Sequence, residues 1–129
     1  IIREMTRSFL NSKIHKGTIT GTNINYEGSC LIDISILNAA KILPFEKIDI
    51  YNITNGERLT TYAIAGPADS GEICANGACC HKINKHDEVI ICSYIELLKN
   101  EIDNHRPTIL HLNANNEIVD KIDNKIKFA

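Results

Sequence analysis

The sequence predicts a mainly β fold, either a small barrel or a sandwich, with one or two short helices. Short runs rich in β-branched and aromatic residues recur along the 129 residues, separated by turn residues such as Asn-Gly. Hydrophobic residues make up 43% of the chain, which is enough for one buried core. Because no segment rich in proline or glycine divides the chain, we expect a single domain over residues 1–129.

The first half of the chain combines strand patterns with one helix. Residues 13–20 and 23–26 are predicted to be strands. Asp33 has the side chain of a helix N-cap, and the apolar spacing after it predicts a helix that ends at Lys41, before Pro44.

The second half is richer in strands. The dipeptide Asn55-Gly56 is typical of a two-residue hairpin turn, so residues 46–54 and 58–64 are predicted to pair. One or two helical turns are predicted over residues 77–83. The remaining predicted strands are residues 72–75, 88–98, 108–112 and 117–126.

Charge and hydropathy exclude several classes of protein. The formal net charge is −2, so no basic face for nucleic acid is expected. The longest apolar run, residues 89–92, is too short for a transmembrane helix, so we expect no membrane partner. The chain starts without a signal-peptide pattern, and this predicts a cytoplasmic protein.

The cysteines favour a reduced protein without a metal. There are five of them, an odd number, and no pair has the C-x-x-C spacing of a zinc or redox site. A metal protein would have to use Cys79, Cys80, His81 and His86, whose spacing matches no familiar site.

Two predicted strands carry polar side chains that a plain β domain does not need. Lys13 and His15 lie two residues apart, on one face of a strand, and Arg58, Thr60 and Tyr62 share a face of another. Such cations could bind two carboxylates. The alternative is that they are ordinary solvent-facing residues.

The dipeptide Gly28-Ser29 allows a second kind of chemistry. Because Gly28 has no side chain, we expect a strained backbone there, and such strain lets the Ser29 hydroxyl attack the preceding carbonyl, so that an ester replaces the amide. Elimination across Ser29 would break the chain, and hydrolysis would leave a pyruvoyl group. Most Gly-Ser dipeptides are simply turns.

Several separated motifs together resemble the pyruvoyl-dependent aspartate 1-decarboxylase family. The resemblance covers roughly residues 5–116. The motifs stand in family order: Lys13-Ile14-His15, Tyr26-Glu27-Gly28-Ser29-Cys30, Asn52-Ile53-Thr54-Asn55-Gly56, Arg58-Leu59-Thr60-Thr61-Tyr62-Ala63-Ile64 and Asn76-Gly77-Ala78.

The resemblance implies a fold and a maturation step. The fold would be a small double-psi β-barrel, assembled as a homotetramer with active sites between subunits. The proenzyme would cut itself between Gly28 and Ser29, giving a short chain of residues 1–28 and a pyruvoyl-bearing chain of residues 29–129. Some relatives need a helper protein for this step, and the sequence leaves that point open.

The resemblance also implies the reaction and its residues. The covalent pyruvoyl group from Ser29, without pyridoxal phosphate or metal, would form a Schiff base with L-aspartate and release carbon dioxide and β-alanine, a precursor of pantothenate and coenzyme A. A proton would return from Tyr62. The implied roles of the remaining residues are self-cleavage for Thr61, together with Gly28 and Ser29, and substrate binding for Lys13, His15, Arg58, Thr61, Asn76, Gly77 and Ala78.

Cys79, Cys80 and His81 depart from the family pattern, where small residues such as alanine usually follow. Cys79 is close to alanine in size, so we expect the packing to survive. Residues 1–4 and the tail after Asn116 carry no predicted role. Two alternatives stay open: an uncleaved or inactive family member, and a non-enzymatic small β-barrel that serves as a binding module.

Overall fold

A computed structural model of the chain describes residues 4–123. That part contains nine strands, one helix and two 3₁₀ helices. The helix, α1, spans Ile34–Ala40, and the 3₁₀ helices span Gly77–His81 and Lys99–Asn104. The strands are β1 (Thr6–Thr18), β2 (Gly21–Asn23), β3 (Ser29–Asp33), β4 (Lys47–Asn52), β5 (Arg58–Gly66), β6 (Ile73–Asn76), β7 (Glu88–Leu98), β8 (Thr108–Leu112) and β9 (Ile118–Asp123).

The strands form one mixed sheet in the order β2-β6-β3-β5-β4-β7-β1-β8-β9. Three pairs are parallel, namely β1 with β8, β2 with β6, and β3 with β5, and the others are antiparallel. Most neighbours in the sheet are distant in sequence, so the chain crosses over repeatedly. The mainly β prediction is confirmed, and this arrangement is consistent with a double-psi β-barrel.

The core is made of small and β-branched side chains from nearly every strand. Isoleucine dominates, because its branched side chain packs well on a pleated surface. The largest fully buried side chains of the core are Ile14, Ile19, Ile32, Ile36, Leu37, Ile42, Ile48, Ile50, Ile73, Ile83, Ile91 and Leu110. No helix among residues 4–123 is long and apolar enough to cross a membrane.

The predicted helix start is confirmed, and Asp33 does more than cap α1. Its carboxylate accepts hydrogen bonds from the backbone N–H groups of Ser35, Asp69 and Gly71, at 2.8, 3.0 and 2.9 Å. The helix ends in a left-handed residue, Lys41, whose φ is 60°. One buried carboxylate therefore ties the start of α1 to the loop after β5.

The structure corrects several predicted boundaries. β1 begins seven residues earlier than the predicted start, at Thr6. Of the strand predicted over residues 23–26, only Asn23 is in a strand, as the last residue of β2, and the rest is wrong. Asn23 begins a turn in which it accepts hydrogen bonds from the N–H groups of Asn25 and Tyr26. Of the strand predicted over residues 117–126, residues 118–123 are confirmed, and residues 124–126 lie outside the described residues.

Two elements have no counterpart in the sequence prediction. β3 is a short run buried on both faces between β5 and β6, so it lacks the alternation that reveals a half-exposed strand. The 3₁₀ helix at Lys99–Asn104 is short and mostly exposed. β3 matters for function, because Ser29 is its first residue.

Candidate active site

Ser29 is buried at the start of β3, with only 1% of its surface exposed. Its hydroxyl donates a hydrogen bond to the carbonyl oxygen of Glu27 at 3.3 Å. It also accepts one from the Asn76 side-chain amide at 3.3 Å, and Asn76 is its register partner on β6. The nucleophile that the sequence predicts is thus held in place, within reach of the backbone that precedes it.

Gly77 packs directly against the predicted cleavage point. A Cβ atom built on Gly77 would lie 2.8 Å from both the nitrogen and the Cα of Gly28, and 2.8 Å from the carbonyl oxygen of Tyr26. The φ of Gly77 is +62°, a left-handed value that favours glycine. Ala78, one residue further, is exposed. The turn after β6 therefore supports the 26–28 segment through backbone contact.

Gly28 is less constrained than the sequence suggests. Its φ is not in the left-handed region, and a Cβ atom built on it would meet nothing within 4 Å. The strained backbone expected at Gly28 is therefore not present there. The left-handed glycine of this region is Gly77.

The parallel pairing of β3 with β5 brings Tyr62 to the same place. Cys30 is the register partner of Ala63, so the next residues back along these strands are Ser29 beside Tyr62, and then Gly28 beside Thr61. A cavity of about 380 Å³ opens here. It is lined by Tyr26, Glu27, Ser29, Pro44, Phe45, Tyr62, Ile64 and Ala65.

Phe45 covers the Tyr62 ring. The two ring centres lie 6.2 Å apart at an interplanar angle of 24°. Phe45 has a left-handed φ of 71°, and its N–H donates a 2.7 Å hydrogen bond to the carbonyl oxygen of Ala63. Since 77% of Phe45 is exposed, the stacked pair forms an open apolar wall of the cavity.

We name Gly28, Ser29, Tyr62, Asn76 and Gly77 the cleavage corner.

Thr61 lies on the opposite face of β5 from Tyr62 and is half-buried. Its register partner is the buried Ile48. The hydrogen bonds among residues 4–123 include none from its hydroxyl to Gly28. Its assistance in self-cleavage stays a prediction.

The other predicted substrate-binding residues lie elsewhere. We name Lys13, His15 and Arg58 the cationic face, because all three project from the outer side of the sheet formed by β1, β7, β4 and β5. A row of register partners crosses this side from Lys13 through Cys92 and Asp49 to Thr60. None of these three residues lines the Ser29 cavity. A single chain therefore separates the predicted nucleophile from the predicted carboxylate binders.

His15 is neutral on this face. Partial burial lowers the pKa of His15, and the nearby charges of Lys13, His111 and Lys16 lower it further. The centres of the His15 and His111 rings lie 5.3 Å apart. His15 Nδ1 is buried without a hydrogen-bond partner in the described part of the chain.

The cysteines form no disulfides, and all five are free thiols. Burial raises the pKa of the Cys30 thiol far above its ordinary value, so this neighbour of Ser29 stays protonated and does not compete as a nucleophile. Residues 4–123 contain no group of three or more His, Cys, Asp or Glu side chains arranged to hold a metal ion.

Two residues at these sites, Phe45 and Tyr51, are not predicted from the sequence. Phe45 follows the helix in a loop, where only its exposed aromatic character could have drawn attention. Tyr51 contacts Arg58, because the guanidinium carbon lies 4.3 Å from the centre of the Tyr51 ring. The predicted two-residue turn at residues 55–56 would have paired Arg58 with Ile53, whereas the four-residue loop in the structure makes Tyr51 and Arg58 register partners.

The comparisons with known proteins agree with the motifs. A family model described as "Aspartate decarboxylase" matches residues 5–119. A protein of Thioalkalivibrio sulfidiphilus named "Aspartate 1-decarboxylase" is 50% identical over 115 residues, which cover 89% of this chain and 91% of that protein.

Relatives from other bacteria carry the same name. The protein of Staphylococcus epidermidis is 46% identical over 121 residues, which cover 94% of each chain. The protein of Bdellovibrio bacteriovorus is 45% identical over 117 residues, which cover 91% of this chain and 93% of that protein. The family identified from the motifs is therefore confirmed, and this chain belongs to the aspartate decarboxylase family of carboxy-lyases.

Proposed function

We propose that this chain is a self-processing aspartate 1-decarboxylase that converts L-aspartate into β-alanine and carbon dioxide. One observation carries the proposal. In a member of this family, the buried Ser29 hydroxyl is bound by Asn76 and lies on the strand beside Tyr62, next to the Gly28–Ser29 peptide bond. A non-enzymatic binding module would not require that arrangement.

Self-cleavage starts from the Ser29 hydroxyl. Its oxygen leaves Glu27 and attacks the carbonyl carbon of Gly28, and the amide nitrogen takes up a proton as the bond shifts from nitrogen to oxygen. Loss of the Cα proton of Ser29 then expels the Gly28 carboxylate, which gives a chain of residues 1–28. The dehydroalanine left on residues 29–129 is hydrolysed to a pyruvoyl group, with release of ammonia.

The two chains stay together because strand pairing spans the cut. β1 pairs with β7 and β8, and β2 pairs with β6. The short chain would thus contribute two strands to a sheet whose other strands belong to the long chain. Its separation would expose Ile14 and Ile19, both fully buried, so dissociation is strongly disfavoured.

The cleavage corner would also serve catalysis. The pyruvoyl group supplies a ketone that binds the substrate amine and delocalises the charge left when carbon dioxide departs. Asn76, which donates a hydrogen bond to the Ser29 hydroxyl before cleavage, would then donate to an oxygen of the pyruvoyl group, whose ketone oxygen comes from water. Tyr62 faces the same cavity and would return a proton to the substrate carbon, and Phe45 stacks against its ring.

The cationic face would recognise the substrate. Aspartate has two carboxylates, and holding one of them decides which of them leaves. Arg58 offers a planar pair of N–H donors to the retained carboxylate, and Lys13 adds a point charge. His15, kept neutral by its surroundings, would donate or accept a hydrogen bond without adding a third cation.

A homotetramer would unite the two sites. No residue of the cationic face lines the Ser29 cavity, so a neighbouring subunit would have to bring its cations there. Leu43, Phe45 and Tyr26 beside that cavity are 70%, 77% and 53% exposed, which is typical of a surface that a partner covers. A helper protein for maturation stays a prediction from the family resemblance.

We place the enzyme in the cytoplasm, where β-alanine would enter pantothenate and coenzyme A synthesis. Five free thiols support a reducing compartment.

The test measures product and covalent chemistry together. Purified protein with L-aspartate should form β-alanine, and cyanoborohydride should inactivate it only when aspartate is present. The larger fragment should then carry aspartate or β-alanine as a secondary amine in place of the ketone oxygen, which is lost as water. The matched control, Ser29→Ala, should give neither product nor adduct. Product formation that survives in Ser29→Ala, or that requires added pyridoxal phosphate, would contradict the proposal.

A further inference from the structure

Arg58 is held by an aromatic ring and not by a carboxylate. Its guanidinium carbon lies 4.3 Å from the centre of the Tyr51 ring, and the ion pairs among residues 4–123 include none with Arg58. An aromatic face attracts a cation without neutralising its charge or occupying its in-plane donors. The Arg58 fork is therefore oriented and still free for a carboxylate ligand.

The Tyr51 ring is itself anchored at its hydroxyl end. That hydroxyl lies 2.7 Å from the Tyr94 hydroxyl and 3.5 Å from Asp49 Oδ2. Asp49 is fixed in turn by the Thr60 hydroxyl, which donates to Asp49 Oδ1 at 2.5 Å. Because each tyrosine hydroxyl carries one proton, Tyr51 donates to Asp49 and Tyr94 donates to Tyr51.

The protonation of Tyr94 fits this direction. The hydrogen bond with Tyr51 raises the pKa of Tyr94, and partial burial raises it further. Tyr94 therefore keeps its proton at neutral pH and remains a donor.

We infer that Tyr94 is a positioning residue for the substrate: its hydroxyl anchors Tyr51, whose ring sets the direction in which Arg58 meets a carboxylate of an acidic amino acid. The inference rests on the proposed function, because it needs Arg58 to bind the substrate. Tyr94 acts through Tyr51 and is given no part in the chemical step.

The first test removes a single hydroxyl. Tyr94 is 47% exposed, so Tyr94→Phe keeps the ring and creates no buried cavity. Loss of one hydrogen bond should raise the KM for aspartate roughly two- to five-fold, with kcat nearly unchanged. The matched control is Ser8→Ala, which removes a hydroxyl that donates to Glu96. Ser8, Glu96 and Tyr94 line one cleft, and this control should leave KM and kcat at their wild-type values.

The second test separates positioning from a general structural effect. In an Arg58→Lys background, Tyr94→Phe should produce no further rise in KM, because the fork that Tyr51 orients is already gone. Tyr94→Phe and Arg58→Lys should each self-cleave as completely as wild type, as judged by intact mass.

The outcomes are separable. Active wild-type enzyme with an unchanged KM in Tyr94→Phe, or the same rise in both backgrounds, would overturn this inference and leave the proposed function standing. Wild-type protein that forms no β-alanine would overturn both.

Discussion

The cleavage corner and the cationic face differ in how complete they are within one chain. At the corner, Ser29 and Asn76 are 1% and 5% exposed, hydrogen-bonded to each other and supported by the close contact of Gly77. On the face, Arg58 is exposed and has no carboxylate partner among the described residues. The proposed self-cleavage would thus need groups that one fold already supplies, whereas the proposed substrate recognition would use groups that face outward.

This difference predicts that the two activities can be separated by mutation. Changes at the corner should alter processing or the proton transfer, and changes on the face should alter substrate affinity alone. The following variants test that separation, in order of decreasing expected effect.

Tyr62→Phe should separate the two proposed roles of the cleavage corner, which are self-cleavage and proton transfer to the substrate. The variant lacks the phenol that would return the proton from the strand beside Ser29, so kcat should fall about 100-fold or more. Processing uses the hydroxyl of Ser29, so the variant should still yield two chains. Steady-state kinetics on fully cleaved protein provides the measurement, and an unchanged kcat would remove Tyr62 from the mechanism.

Gly77→Ala tests the backbone contact that supports the cut. The added methyl group would meet Gly28 and Tyr26 at 2.8 Å, at a φ of +62°. We expect a loss of about 1–3 kcal/mol in the free energy of unfolding of the uncleaved Ser29→Ala background, with slower cleavage in the wild-type background.

Gly28→Ala is the matched control for Gly77→Ala. Its methyl group would meet nothing within 4 Å, so the free energy of unfolding should change by no more than about 0.5 kcal/mol. Denaturant titration of both variants measures the two changes in the free energy of unfolding. Equal destabilisation would refute the assignment of the tight contact to Gly77.

Arg58→Lys should affect affinity and spare processing. A lysine retains the charge but loses the planar pair of donors, so the KM for aspartate should rise about ten-fold. Cleavage should be complete, because Arg58 lies outside the Ser29 cavity. An uncleaved variant would show that the two regions depend on each other.

The smallest effect concerns the titration of His15. Burial and neighbouring cations lower its pKa, so NMR should show it titrating below the value of about 6.5 for a free histidine. The unfolded chain takes up this proton first, so His15 opposes stability as the pH falls through about 6.5, and the cost stops growing below the folded pKa. His15→Gln should lessen the loss of stability between pH 7.5 and 5.5. A His15 pKa at or above 6.5 would contradict the assigned environment.

Much of the fold could be predicted from local signals. Asp33 specifies the helix start, and the alternating run before Asn55-Gly56 specifies two paired strands, which the structure confirms. The two-residue turn is wrong, because β4 ends at Asn52 and the Asn52 N–H donates to the Glu57 carbonyl oxygen across a four-residue loop. β3 could not be found in this way, because its pattern depends on two neighbours, β5 and β6, that cover both faces. Local periodicity contains no information about such non-local pairing.

For the two candidate sites too, local sequence patterns identify single residues but not the contacts between them. The motifs named Ser29, Tyr62 and Asn76 individually, and the structure brings them together through the pairing of β3 with β5 and β6. The contacts of Phe45 with Tyr62, and of Tyr94 with Tyr51, could not be predicted. They depend on a left-handed loop residue and on strand register, neither of which a motif records.

The intact mass of the active protein under denaturing conditions tests the central claim most directly. The account predicts two species, one of residues 1–28 ending in a carboxylate and one of residues 29–129 that starts with a pyruvoyl group in place of Ser29. A single uncut chain with full decarboxylase activity, or a larger fragment that begins with unmodified serine, would contradict it.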